Sequence, residues 1–116
     1  MVLSCFNAYD IRGRVPEDID AEGARLLVPA DLPAGVEAEL RETAARAFRA
    51  LGCDGMARVD FFVTADFGIL VNELNTIPGF TDISMYSKVM AASGVGYGEV
   101  IDRLVDHGLA RAARTV

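Results

Sequence analysis

Two neighbouring segments of this chain hold side chains that could share one piece of chemistry. Arg58 and Asp60 lie in the Val- and Phe-rich stretch Met56 to Thr64, and Glu73 and Asn75 in the stretch Ile69 to Asn75. Alternate side chains of a strand share a face. Arg58, Asp60 and Phe62 therefore point one way, and Val59, Phe61 and Val63 the other. On the second strand Val71, Glu73 and Asn75 share a face, opposite Asn72 and Leu74. Asp66 and Gly68 signal a hairpin turn between the two. A four-residue loop, Ala65 to Gly68, sets Asp60 opposite Glu73 and Arg58 opposite Asn75. A three-residue loop without a bulge shifts the pairing by one and spoils the match. Two carboxylates facing each other repel, unless something positive sits between them. The oxygen-only set Asp60, Glu73 and Asn75 suits a hard cation such as magnesium. Arg58 can neutralise the carboxylates in part, or hold an anionic group beside the metal. The same residues also read as a solvated face with a cross-strand Arg–carboxylate pair.

The next loop adds to the first alternative. Asn75-Thr76-Ile77-Pro78-Gly79-Phe80-Thr81 puts a turn-forming Pro-Gly pair directly after the acidic strand. Gly79 leaves its backbone N–H open to close approach by a ligand, as an oxyanion donor requires. Ser84 sits at or near the N-cap of the following helix, where a hydroxyl and free N–H groups can hold a carboxylate. Capping its own helix is the plainer role for Ser84, and the two are compatible.

The elements that position these residues follow from periodicity. Residues 1–24 read as loop, punctuated by Asp10, Gly13, Pro16, Asp18, Asp20 and Gly23. Arg25 to Val28 reads as a short strand. Val36, Leu40, Ala44, Ala47, Phe48 and Leu51 recur at helical steps and predict a helix from about Ala34 to Leu51, started by Asp31 or Pro33 and stopped at Gly52. A short helix spans about Ser84 to Ala92. A last one, about Gly98 to Ala112, carries Val100, Ile101, Leu104, Val105 and Leu109 on its inner face. The fold class expected is α+β, an antiparallel hairpin packed against helices, with residues 25–116 as one subdomain.

Composition narrows the function. The chain has 116 residues, 11 Lys and Arg against 17 Asp and Glu, and a net charge of −6, which argues against binding a phosphate backbone. Hydrophobic residues make up 52%, enough for a core. No apolar run reaches the roughly 18 residues of a membrane span, and Met1 to Cys5 lacks the features of a secretory signal. Cys5 and Cys53 make neither a disulfide framework nor a zinc site, and a reducing cytoplasm fits both. His107 has no nucleophile beside it and reads as a helix surface residue. Asp66-Phe67-Gly68 matches a kinase metal triplet in letters, but nothing else of that set is present, so it reads as a turn.

Arg58-Val59-Asp60-Phe61-Phe62, then Asn72-Glu73-Leu74-Asn75-Thr76-Ile77-Pro78-Gly79-Phe80-Thr81, then Ser84-Met85-Tyr86 resembles the C-terminal part of the D-alanine–D-alanine ligase family, within the ATP-grasp superfamily. The similarity extends back to Glu22-Gly23-Ala24-Arg25 and forward through the last helix. It implies an ATP-dependent ligase of peptidoglycan synthesis. One D-alanine carboxylate takes the γ-phosphate of ATP, and a second D-alanine displaces phosphate from the resulting acyl phosphate. It further implies that Asp60, Glu73 and Asn75 hold two magnesium ions, replaceable by manganese. Arg58 and the Gly79 amide would steady the tetrahedral intermediate, and Ser84 with the Met85 amide would hold the second D-alanine's carboxylate.

Members of the family are longer, with an N-terminal domain and a central nucleotide-gripping domain that have no counterpart in these 116 residues. Those domains are therefore the implied partners, with a homodimer a further arrangement open to the family. Two local departures stand out. Ser87 follows Ser84-Met85-Tyr86 where the family usually has Pro. Phe6, Tyr9 and Arg12-Gly13 occupy a lid-like segment where a Phe-x-x-Tyr-x-x-Lys-Tyr element is usual. The rival expectations are a ligase with another acceptor such as D-lactate, and a truncated, non-catalytic remnant or binding module.

Overall fold

A computed structural model describes residues 10–12 and 25–115, with side chains from 28 to 115. Most of the lid-like segment 1–24, including Phe6, Tyr9 and Gly13, lies outside the described residues, as does Cys5. Within that segment the backbone forms β1 (Asp10–Arg12), which pairs antiparallel with β2 (Arg25–Leu27). The loop expected for residues 1–24 is thus interrupted by a strand. Three residues are too few to leave a period in the sequence, and the pairing rests on backbone hydrogen bonds that any side chains allow.

Helix α1 (Ala34–Ala50) starts after Pro33, whose carbonyl receives the N–H groups of Val36 at 2.9 Å and Glu37 at 3.0 Å. No side chain caps it, so Asp31 has no capping part. Proline supplies instead a fixed φ and no surplus donor. At the far end the Cys53 N–H bonds the Phe48 carbonyl at 3.0 Å and the Gly52 N–H that of Arg49 at 3.1 Å. With Gly52 at φ 64°, this is a Schellman stop, which needs a residue without a Cβ. The apolar stripe buries Leu40, Ala44 and Phe48, while Arg41 and Glu37 pair on the outer side.

The hairpin of β3 (Arg58–Val63) and β4 (Ile69–Asn75) lies against that stripe. Ala57 and Val59 join Ala44 and Phe48 in one buried cluster, flanked by Phe61, Leu74 and the free Cys53. The residues just before β3 straddle two cores. Ala57 belongs to this cluster, while Met56 packs on a second one formed by Tyr86, Met90, Val95 and Val100. The strand itself begins at Arg58, two residues later than the Met56 expected. The second core joins α2 (Met85–Ala92) to α3 (Tyr97–Thr115), with Phe80 in edge contact with the Tyr86 ring, centroids 6.0 Å apart.

The inner face expected for α3 is largely uncovered. Val100 is buried and Leu104 packs on the second core, but Val105 and Leu109 are 54% and 65% exposed, and Ile101 is at the surface too. Only the first turns of α3 meet α2, so the apolar stripe outruns its neighbour. No described helix is long and apolar enough to cross a membrane.

Candidate functional site

The register brings the charged residues together. Asp60 faces Glu73, and Arg58 faces Asn75. The route to that pairing differs from the four-residue loop expected. Thr64 N–H bonds the Gly68 carbonyl and Phe67 N–H the Thr64 carbonyl, both at 2.9 Å, which leaves a three-residue loop, Ala65 to Phe67. Phe67 takes the left-handed conformation, φ 64°, that this hairpin type requires at its last loop position. Its neighbour Gly68 is tightly placed, since a Cβ there would lie 2.7 Å from Thr64 Oγ1. The Thr64 hydroxyl also bonds Asp66, and that contact, followed by backbone N–H groups, holds the Asp66 carboxyl below its ordinary range.

Such a loop alone would misalign the strands by one residue. The compensation is a β-bulge: Phe61 pairs with Val71, Phe62 with Leu70 and Val63 with Ile69, so the ladder slips between Asp60 and Phe61 and Asn72 is the extra residue. Val71 therefore does not continue the face of Glu73 and Asn75, as strict alternation predicts. Leu70 takes that place, opposite Phe62. These two are 57% and 61% exposed, an apolar patch continuous with the charged one.

The Arg58 guanidinium lies between the two carboxylates. Its Nε donates to Asp60 Oδ1 at 2.9 Å and its Nη2 to Asp60 Oδ2 at 2.8 Å, a two-pronged pairing that fits the planar fork. The same Nη2 reaches Glu73 Oε1 at 3.3 Å. Asp60 is one-quarter exposed and Glu73 more than half, so the cluster is open on one side. Facing acids thus share one positive charge, the electrostatic condition that the sequence demands of this pair. Among the described residues no three His, Cys, Asp or Glu side chains converge as a metal cluster. The donor set therefore needs the Asn75 amide as its third oxygen. Asn75 Oδ1 accepts the Ile77 N–H at 2.9 Å, which turns the chain into the Pro78-Gly79 loop and leaves that oxygen a second lone pair. Two carboxylates and an amide oxygen on adjacent strands fit a hard divalent cation in type and number.

Gly79 is exposed, and a Cβ built on it would meet nothing within 4 Å, so the space before its backbone is open. Ser84 is the N-cap of α2, its Oγ accepting the Ser87 N–H at 3.4 Å and donating to the Thr81 carbonyl at 2.8 Å. Met85 follows as the first helical residue, where a backbone N–H has no partner within the helix.

Two groups escape a reading by pattern. Ser87 is buried, and its hydroxyl donates to the Thr81 carbonyl. The sequence marks it only as a departure from the family's usual Pro, and nothing in its spacing marks it as buried, because a serine in the first turn of a helix is ordinarily solvated. His107 and Arg111 on α3 both contact the carboxylate of Asp54, in the loop that leads into β3. The His107 hydrogen bond first, and the Arg111 charge after it, hold the Asp54 carboxyl below its ordinary value. More than fifty residues separate these partners, so only the tertiary fold discloses them.

Comparison with known proteins bears on this geometry. Residues 4–106 match the family model described as D-ala D-ala ligase C-terminus. The chain is 64% identical over 109 residues to D-alanine--D-alanine ligase A of Brucella suis, covering 94% of this chain and 30% of the relative. It is 44% identical to the corresponding Escherichia coli K12 ligase A over 113 residues, covering 97% of this chain and 30% of that one. Among solved structures it superposes on the Coxiella burnetii D-alanine-D-alanine ligase with a TM-score of 0.75 and 43% identity, over 79% of this chain and 26% of that one. The VanG D-Ala:D-Ser ligase of Enterococcus faecalis gives a TM-score of 0.65 at 41% identity, over 67% of this chain and 23% of the other. The chain thus spans about 30% of the length of the curated relatives it matches.

Proposed function

The chain belongs to the D-ala D-ala ligase C-terminus family, and from that premise we propose that it forms the metal- and acceptor-binding part of an ATP-dependent D-alanine–D-alanine ligase serving peptidoglycan synthesis. In this reading the carboxylate of one D-alanine attacks the γ-phosphorus of ATP, releasing ADP and leaving an acyl phosphate. The amine of a second D-alanine attacks the acyl carbon, and the tetrahedral intermediate collapses with loss of phosphate. Both steps gather negative charge on oxygen, so preorganised positive charge and N–H donors lower their barriers more than any side-chain nucleophile. A Bacillus anthracis D-alanine--D-alanine ligase complexed with ATP, 30% identical with a TM-score of 0.68, supports ATP as the co-substrate.

Asp60, Glu73 and Asn75 would hold the magnesium ions, which when bound screen the phosphate charges from the attacking carboxylate. The guanidinium of Arg58 is within reach of the same spot and exchanges its carboxylate partners for the developing oxyanion. The Gly79 N–H donates to that oxyanion from the open side of its loop. Ser84 and the Met85 N–H, at the positive end of α2, receive the second D-alanine's carboxylate. Residues beyond this chain would supply the grip on the nucleotide and on the first D-alanine, and the isolated chain is expected to turn over no ATP.

The observation that carries this reading is the alignment of Asp60 with Glu73 around one guanidinium, kept by a bulge. Supplying the N-terminal and central ligase domains in trans should restore D-alanine-dependent phosphate release. Replacing Asp60 or Glu73 by Ala should abolish it, and release that survives both changes refutes the metal assignment. A second reading changes only the acceptor, and the likeness to a D-Ala:D-Ser ligase favours it. Offering D-serine, D-lactate and D-alanine to the same assembly separates the two readings by which one yields product.

A further inference from the structure

Three donors converge on the Thr81 carbonyl oxygen: the Ser84 N–H at 3.1 Å, the Ser84 hydroxyl at 2.8 Å and the Ser87 hydroxyl in close contact. A carbonyl oxygen has two lone pairs, so one of the three is surplus. The Ser84 N–H is fixed by the backbone. Ser87 is 3% exposed, and its hydroxyl can turn only between Thr81 and the Ser84 Oγ, 3.1 Å away. The Ser84 hydroxyl is the one that is partly open to solvent. Its oxygen is held in place from behind by the Ser87 N–H, while its proton is dispensable.

We propose that Ser87 is a positioning residue for the acceptor: by taking over the Thr81 carbonyl it releases the Ser84 proton to donate to the carboxylate of the incoming amino acid. This rests on the reading of Ser84 as a carboxylate ligand. With the Ser87 hydroxyl gone, the Thr81 carbonyl keeps only the two donors of Ser84, and turning the Ser84 proton toward substrate then breaks a bond that nothing replaces. The loss falls on acceptor binding rather than on phosphoryl transfer, because the proposed function assigns the phosphates to Asp60 and Glu73 and the acceptor carboxylate to Ser84.

The test uses an assembly in which this chain replaces the corresponding part of the Brucella suis ligase. Ser87→Ala is expected to raise KM for the acceptor D-alanine by roughly fivefold, the size of one ordinary hydrogen bond, with kcat and KM for ATP within about twofold. Ser87→Thr restores the acceptor KM, and Ser87→Cys, a weaker donor, falls between. An unchanged acceptor KM in Ser87→Ala overturns the proposal, as does a loss spread equally over kcat and both KM values. Ser84→Ala separates the two levels. If it raises the acceptor KM while Ser87→Ala does not, only the positioning role falls. If neither changes it, or the unsubstituted assembly ligates no D-alanine, the reading of the site falls and the inference with it.

Discussion

Helices α1 and α3 carry apolar stripes of the same period, yet they are held in different ways. The stripe of α1 meets the hairpin at Ala44 and Phe48, and Leu40 is buried as well. Along α3 burial ends with Val100 and the partly covered Leu104, and beyond them Val105 and Leu109 face solvent. What ties the later turns of α3 to the body is the Asp54 carboxylate, hydrogen-bonded to His107 and paired with the Arg111 charge. A period of 3.6 therefore identifies which face of a helix is apolar, but it does not say whether anything covers that face. The difference matters for the site, because α1 backs β3 and β4 directly, whereas α3 reaches the site at its start, through Tyr97 on Phe80, and otherwise through α2 and the Asp54 loop.

Substitutions at buried positions of the two helices should separate these regimes. Phe48→Ala removes a ring that is 6% exposed and packs on Val59 and Ala57, and it should cost about 3–5 kcal/mol in denaturant unfolding. Because Val59 flanks Arg58 and Asp60, the same change should also loosen the charged cluster, seen as faster amide exchange in β3. Val100→Ala, at the buried start of α3, deletes less volume and should cost about 2 kcal/mol. If the order of the two were reversed, α3 rather than α1 would be the principal support.

Much of this was legible in the residues, for physical reasons that differ from element to element. The boundaries of α1 could be read because Pro33 and Gly52 do local work at its ends. The pairing of Asp60 with Glu73 was also readable, but for a reason the turn does not supply. Asp66 and Gly68 permit loops of three or four residues, and a bulge at Asn72 has no composition of its own. The structure places the extra residue in the strand instead of the loop, and one compensates the other. Ser87 stood out in the sequence only as a departure from the family's usual Pro, and its contact with the Thr81 carbonyl, six positions away, is visible only in the fold.

The charged tie of α3 should respond to acid where the packing of α1 does not. Asp54 is a depressed carboxyl, so its contribution is fully present above its unfolded value, close to 3.8, and fades as the pH falls through the lower folded value. Asp54→Asn should lower Tm at neutral pH, and the gap from the parent should close in melts taken below that window. Raising the salt concentration should narrow the gap as well, since the Arg111 partner is 64% exposed.

The smallest effect is the most informative about what lies next to α3. Leu109 is 65% exposed in this chain, so Leu109→Lys should move unfolding by no more than about 0.5 kcal/mol. The same substitution in an assembly with the remaining ligase domains gives a direct reading of the stripe. If the change stays neutral there, the Val105–Leu109 face is solvated and the Asp54 contacts alone secure the helix end. If instead it destabilises the assembly by more than about 1 kcal/mol, a lysine has been forced under an apolar cover. In that case α1 and α3 obey the same rule after all, one helix finding its cover within these 116 residues and the other outside them.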